Sequence, residues 1–270
     1  MKVLDYSPIP FDGGKLSLQD RLKGISKFGS SWVSEMKSQE FILETLNRVL
    51  DNRFTMLRNL PLLKRNKTIP LILLGPYGIT VIHNCTARGI FNAEGEVWKE
   101  MDNRINDFKT SRPNYIKRTI QITNEFRELI QQIGSEIDVD GVLIFSNPGS
   151  HVRISGRASV RIILMDAINR FGTSLLSKQQ ILTMENIRNL VVSITEAIQP
   201  EDTTDESKRI IPYQQYLEFA HNVDESFMRA IAPIEARSRF SKGQWAFLWI
   251  FAIIDFLVLI AFVVFVLMTA

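Results

Sequence analysis

Between Lys15 and Leu50 the apolar residues recur every three or four positions: Leu16, Leu18, Leu22 and Ile25, then Trp32, Phe41, Ile42, Leu46, Val49 and Leu50. That spacing predicts two helices separated at Gly29-Ser30-Ser31. The pattern then changes to short apolar runs. FTMLRNLPLL, residues 54–63, reads as a strand interrupted by Pro61, and LILLGPYGITVIHNC, residues 71–85, reads as the core of a hairpin. Its strands are expected near Ile69 to Leu74 and Ile79 to Ile82, with the turn at Gly75-Pro76-Tyr77-Gly78. A strand around Trp98, residues 96–99, is expected to extend this antiparallel part.

Tyr115 to Ile133 returns to a helical period, with Ile116, Ile120, Ile122, Phe126, Leu129 and Ile130 on the apolar side. GVLIFS (141–146) and VRIILM (160–165) are nearly continuous apolar runs, as in central strands covered on both faces. Ile181 to Ile198 is a closing helix. The order α-β-β-β-(β)-α-β-β-α predicts an α/β fold with a mixed sheet flanked by helices. Before it, MKVLDYSPIPFDGG reads as an extended arm; after it, QPEDTTDESK (199–208) is an acidic linker, and 213–239 is helical again with a break at Pro233.

The last part of the chain changes the picture most. Trp245 to Met268 is a run of about 24 residues with one charge, against the ~20 needed to cross a hydrocarbon core. A single C-terminal transmembrane helix is therefore expected. Trp245 and Trp249 sit as interfacial anchors, and Arg237, Arg239 and Lys242 precede them, which by the positive-inside rule places the preceding domain in the cytoplasm. No apolar segment of signal-peptide type follows Met1, so the expected arrangement is a single-pass, tail-anchored membrane protein. Asp255 falls near the bilayer centre, where insertion of an acidic residue costs ~2.5 to 3.5 kcal/mol. Two readings stay open: Asp255 faces a partner helix carrying Arg, Lys, His or a hydrogen-bonding group, or it is protonated in lipid or in a homodimer.

Composition narrows the chemistry. At 45% hydrophobic and 23% charged the chain is of ordinary globular type, and its formal charge of +3 does not by itself imply nucleic acid. The single cysteine, Cys85, excludes an internal disulfide and argues against a cysteine-based zinc site.

Several motifs together carry a resemblance. They are a helix with a glutamate (Glu40), a strand, the hairpin with Gly75-Pro76-Tyr77-Gly78, a downstream Gly and Trp, a helix opening at Asn114, and the strand VLIF. Over residues 33–198 this resembles the nuclease-related domain (NERD) family, which is similar to restriction-endonuclease-like folds. The resemblance implies a site in which an Asp on one strand and a Glu-x-Lys on the next hold a divalent metal and orient water. Here the Asp position is Pro70, the Glu position His83 and the Lys position Cys85, while a Gln expected in the helix start is Arg118. Only Glu40 keeps an acidic position. The polar end of the hairpin thus stands where the active site would be, without the groups that would do the work. No cofactor and no metal are expected.

Other residues were candidates for replacement roles. His83 is a possible ligand or base, Glu94 or Glu96 a migrated carboxylate beside the Gly95 turn, and Cys85 a nucleophile with His83 two residues away; the simpler reading of His83 and Cys85 is a half-buried structural pair. Basic residues at Arg104, Lys109, Arg112, Lys117 and Arg118, and at Arg153, Arg157 and Arg161, would hold a phosphate backbone if they shared a face. Because acidic residues such as Glu100, Asp102 and Asp107 are interleaved among them, these basic residues read instead as solvated surface charge. The expected organisation is an N-terminal arm and helix (1–32), the NERD-like domain (33–198), a polar linker (199–212), a juxtamembrane helix (213–242) and the membrane anchor (243–270). The expected function is a non-catalytic scaffold or accessory subunit of a membrane complex. Its partners would be the bilayer and membrane proteins met through Asp255. The alternative is a tethered nucleic-acid binder or divergent metal-dependent nuclease.

Overall fold

The computed structural model describes residues 1–9, 17–62, 67–102 and 104–199. Its strands are β1 (Lys2–Asp5), β2 (Thr55–Leu62), β3 (Lys67–Gly75), β4 (Gly78–Cys85), β5 (Gly89–Gly95), β6 (Val97–Asp102), β7 (Asp107–Thr110), β8 (Val139–Phe145), β9 (Ser150–Ala158) and β10 (Arg161–Ile163). The helices are α1 (Leu18–Phe28), α2 (Trp32–Asn47), α3 (Tyr115–Gln132), α4 (Ile168–Leu176) and α5 (Met184–Ala197).

Six strands form one mixed sheet in the order β1-β2-β3-β4-β8-β10. The pairs β2-β3 and β3-β4 are antiparallel, and β1-β2, β4-β8 and β8-β10 are parallel. Helices cover both faces. On one, Ile122, Phe126 and Ile130 of α3 and Ile187, Leu190 and Ile194 of α5 pack on Leu57, Ile72, Leu74, Ile79 and Val81. On the other, Ile42 and Leu46 of α2 and Ile168, Phe171 and Leu175 of α4 pack on Met56, Leu71, Leu73, Ile82 and Ile144. The fold is therefore α/β, and β4 reads as a continuous apolar run because neither of its faces meets water.

Residues 2–5 of the arm are extended as expected, and they also add an edge strand to β2. The first strand is interrupted at Asn59 rather than at Pro61. Leu57, Leu60 and Leu62 all join the α3/α5 core, which strict alternation forbids. Asn59, in the left-handed region with φ 53°, supplies the shift of phase. Pro61 stays in the strand, paired with Thr68, because β1 ends opposite Arg58 and leaves one side of β2 without a neighbour there.

The strand around Trp98 does not extend the hairpin. It is β6 of a separate four-stranded sheet, β7-β6-β5-β9. The place beside β4 is occupied by β8, in register from Ile79 with Val139 to Cys85 with Phe145, so the intervening chain must leave the main sheet. The short strands β5, β7 and β9 and helix α4 lay outside the pattern reading. The second sheet packs Phe91, Ala93 and Trp98 against Cys85, Leu143 and Phe145 at the end of β4 and β8. Among the described residues no helix is long and apolar enough to cross a membrane. The expected anchor, with Trp245, Trp249, Asp255, Arg237, Arg239 and Lys242, lies outside the described residues, as do the linker from residue 200 and the juxtamembrane helix.

Candidate functional site

The register of the hairpin decides where a cleft opens. Leu71 pairs with Ile82, so the next pair would be Pro70 with His83, but the ladder stops at Leu71. Proline has no N–H to give, and its ring does not suit the interior of a sheet. From Ile69 back to Lys67, β3 pairs only with β2, and Pro70 is skipped in both ladders; from His83 to Cys85, β4 pairs only with β8. At this splayed level lies a cleft of about 790 Å3 lined by Pro70, Asn59, Gln39, Trp32, Lys117 and Arg118, among others.

The structure thus brings Pro70 and Arg118 together on one cleft, and it puts His83 and Cys85 behind the first turn of α3. His83 is 5% exposed. Its Nδ1 lies 2.8 Å from Thr119 Oγ1, and that hydroxyl also donates to the Tyr115 carbonyl at 2.8 Å. With the Thr119 proton committed in that way, Nδ1–H is the donor to Thr119. Burial, and secondarily the charge of Arg118, push its pKa down to about 3. Cys85 is equally dry. Burial raises its thiol to about 11, so it is protonated at neutral pH and a poor nucleophile or metal ligand. The two are fully buried rather than half-buried, under a cap of Phe91, Trp98, Tyr115 and Phe145.

Asn84, between them, points to the opposite face and donates to Ser38 Oγ (3.2 Å) and the Glu35 carbonyl (3.3 Å) on α2. The polar end of the hairpin is therefore satisfied internally on both faces.

Glu40 has a structural partner. Arg58, 2% exposed, donates through Nη1 to Glu40 Oε2 at 2.8 Å, through Nε to Gln39 Oε1 at 2.9 Å and through Nη2 to the Met36 carbonyl at 3.1 Å. Asp5 Oδ2 is 3.5 Å from the same Nη1. Gln39 and Asn59 exchange amide hydrogen bonds of 2.8 and 3.1 Å and form the cleft wall in front of this cluster. Arg58, Gln39 and Asn59 were not singled out from the sequence, although an Arg-Asn pair inside the apolar run FTMLRNLPLL is a visible break in pattern.

A divalent cation does not fit here. Pro70 offers no ligand, His83 and Cys85 are out of reach of water, and Glu40 is held by Arg58. Among the described residues no group of three or more His, Cys, Asp or Glu side chains is placed to hold a metal. Glu94 and Glu96 flank Gly95, whose φ of 54° makes the β5-β6 turn, and neither lines the cleft.

The basic residues fall at different places: Lys117 and Arg118 line this cleft, joined there by Lys67, and Arg104, Lys109 and Arg112 line a separate depression at β6 and β7. Lys109 pairs with Asp102 at 2.6 Å, and Arg161 lies over the Phe171 ring at 5.1 Å. Lys67 is tied to the buried Glu125 at 2.7 Å. Lys117 and Arg118 have no ion-pair partner among the described residues, and they stand in the first turn of α3, where the helix dipole disfavours cations. No family model, curated protein or solved structure matches the chain.

Proposed function

We propose that residues 33–198 form a nuclease-related, restriction-endonuclease-like domain that has lost metal-dependent chemistry, and that the chain is a tail-anchored scaffold or accessory subunit of a membrane complex. The order helix, three antiparallel strands, helix, parallel strand supports this reading. Pro70 and Arg118, two of the four positions compared with the family's catalytic residues, line one cleft, while His83 and Cys85 lie buried away from it. One observation carries the loss of chemistry: His83 is a buried, neutral ring bonded to Thr119, where a carboxylate would have to meet metal and water.

The test is a mild-detergent pull-down of the full-length chain beside its Asp255→Leu variant, with mass spectrometry of what accompanies each. A defined set of membrane proteins, lost in the variant, is the expected result. An unchanged set removes Asp255 from the interface, and metal-dependent cleavage of DNA or RNA by the purified chain overturns the non-catalytic reading.

A second reading is favoured by Lys117 and Arg118, which line the cleft without an ion-pair partner among the described residues and suit a phosphate backbone there. Nucleic-acid affinity that falls steeply with salt, and is weakened by Lys117→Gln and Arg118→Gln together, would move the function to a tethered nucleic-acid binder.

A further inference from the structure

Helix α1 carries its apolar residues on the outside. Leu18, Leu22 and Ile25 are 77%, 69% and 41% exposed. At 100° per residue these three positions fall within about 60° of arc, a continuous stripe along the helix. The contact with the body is elsewhere: Gly24, about 120° round the helix, is the buried position of α1. A Cβ at Gly24 would meet the Trp32 ring at 2.1 Å, so the missing side chain is what lets α1 lie flat on α2 and fixes which face looks outward.

The helix is also well built at its ends. Ser17 caps it by accepting from the Asp20 N–H at 3.1 Å, and Gly29, with φ 94°, closes it by donating to the Ile25 carbonyl at 2.9 Å. Its charges are Arg21, Lys23 and Lys27 against the single Asp20. A short, capped helix with a leucine-isoleucine stripe and a cationic remainder has the makeup of helices that lie in the headgroup layer of a bilayer, apolar side inward and lysines toward anionic lipid.

We propose that α1 is a second membrane contact, lying in the surface of an anionic bilayer through Leu18, Leu22 and Ile25, with Arg21 flanking the stripe at the headgroups. This inference rests on the tail-anchored reading for its effect, since a chain already held at a bilayer presents α1 to lipid at high local concentration. The contact would fix how the cytoplasmic domain stands on the membrane.

The experiment uses the full-length chain with Ser26→Cys, an exposed position beside the stripe, carrying an environment-sensitive fluorophore. Cys85 is buried and protonated, so labelling is confined to position 26. The protein is reconstituted into phosphatidylcholine vesicles with and without phosphatidylglycerol, some containing acyl-chain nitroxide quenchers. Insertion of the tail is read separately, as resistance to alkaline extraction.

Quenching that is strong with phosphatidylglycerol and lost on Leu22→Glu is the expected result. Arg21→Gln is expected to weaken the contact roughly fivefold at low salt. Alkali-resistant protein without quenching overturns the α1 contact and leaves the anchor standing. Alkali-extractable protein that is still quenched overturns the anchor and leaves α1. Emission that is shifted to the blue equally in detergent and in vesicles, with no quenching, means that protein covers the stripe, and also overturns the proposal.

Discussion

Lys117 and Arg118 stand on the rim of the cleft with no ion-pair partner among the described residues, whereas His83 and Cys85, behind the same turn of α3, are uncharged and out of water. The difference lies in which element carries the group: His83 and Cys85 belong to β4 and are packed beneath α3, whereas the exposed charge belongs to the helix itself. Behind the opposite wall, Arg58 adds a third condition, with charges that are buried but matched by Asp5 and Glu40.

The largest effect is expected where matched burial is broken. Arg58→Met leaves Asp5 and Glu40 without their shared cation and should lower stability by ~3 to 5 kcal/mol, read from urea unfolding by circular dichroism in mild detergent. A loss below about 1 kcal/mol would mean that the cluster is wetter than its geometry and belongs with the rim. His83→Glu should cost about 2 to 3 kcal/mol, because a carboxyl there is buried away from water. Restored metal affinity in that variant would break the distinction between floor and rim.

Acidity gives a third measure. The ordinary imidazole pKa is 6.5 and His83 in the fold is held near 3, so between these values the unfolded chain binds a proton that the folded chain refuses. Stability from this residue is full above pH ~6.5 and declines as pH falls toward 3, and His83→Gln should flatten that slope. The smallest effect belongs to the rim. Replacing Lys117 and Arg118 together by Gln should leave stability within ~0.5 kcal/mol or raise it slightly, by removing cations from a helix N-terminus. A marked loss would show that they are structural.

The sequence displayed what is local. The period of α2 and α3, the hairpin turn at Gly78 with its φ of 116°, and the both-sides-buried character of β8 follow from neighbouring residues alone. The second sheet was not legible, because β5 pairs with β9 across the whole of α3 and β8, with Gly89 opposite Ser150, and no local pattern announces a partner that remote. Of the positions that the expected motif picks out, Pro70 and Arg118 line one cleft, while His83 and Cys85 are buried away from it. The motif could not show that Glu40 would be claimed by Arg58, since that depends on Asn59 resetting the phase of β2 so that Arg58 and Met56 look toward α2.

The pairing of β5 with β9 also orders events in time. The cap of Phe91, Trp98, Tyr115 and Phe145 needs residues from four elements spread from 91 to 145, and its sheet needs β9 beyond them, so it pays a large loop-closure entropy and should assemble after the main sheet has collapsed. Cys85 lies beneath it. Pulsed thiol labelling during refolding would then show this sulfur reactive after most secondary structure has returned and silent only at the end, which makes the chain's single cysteine a clock for the last step of folding.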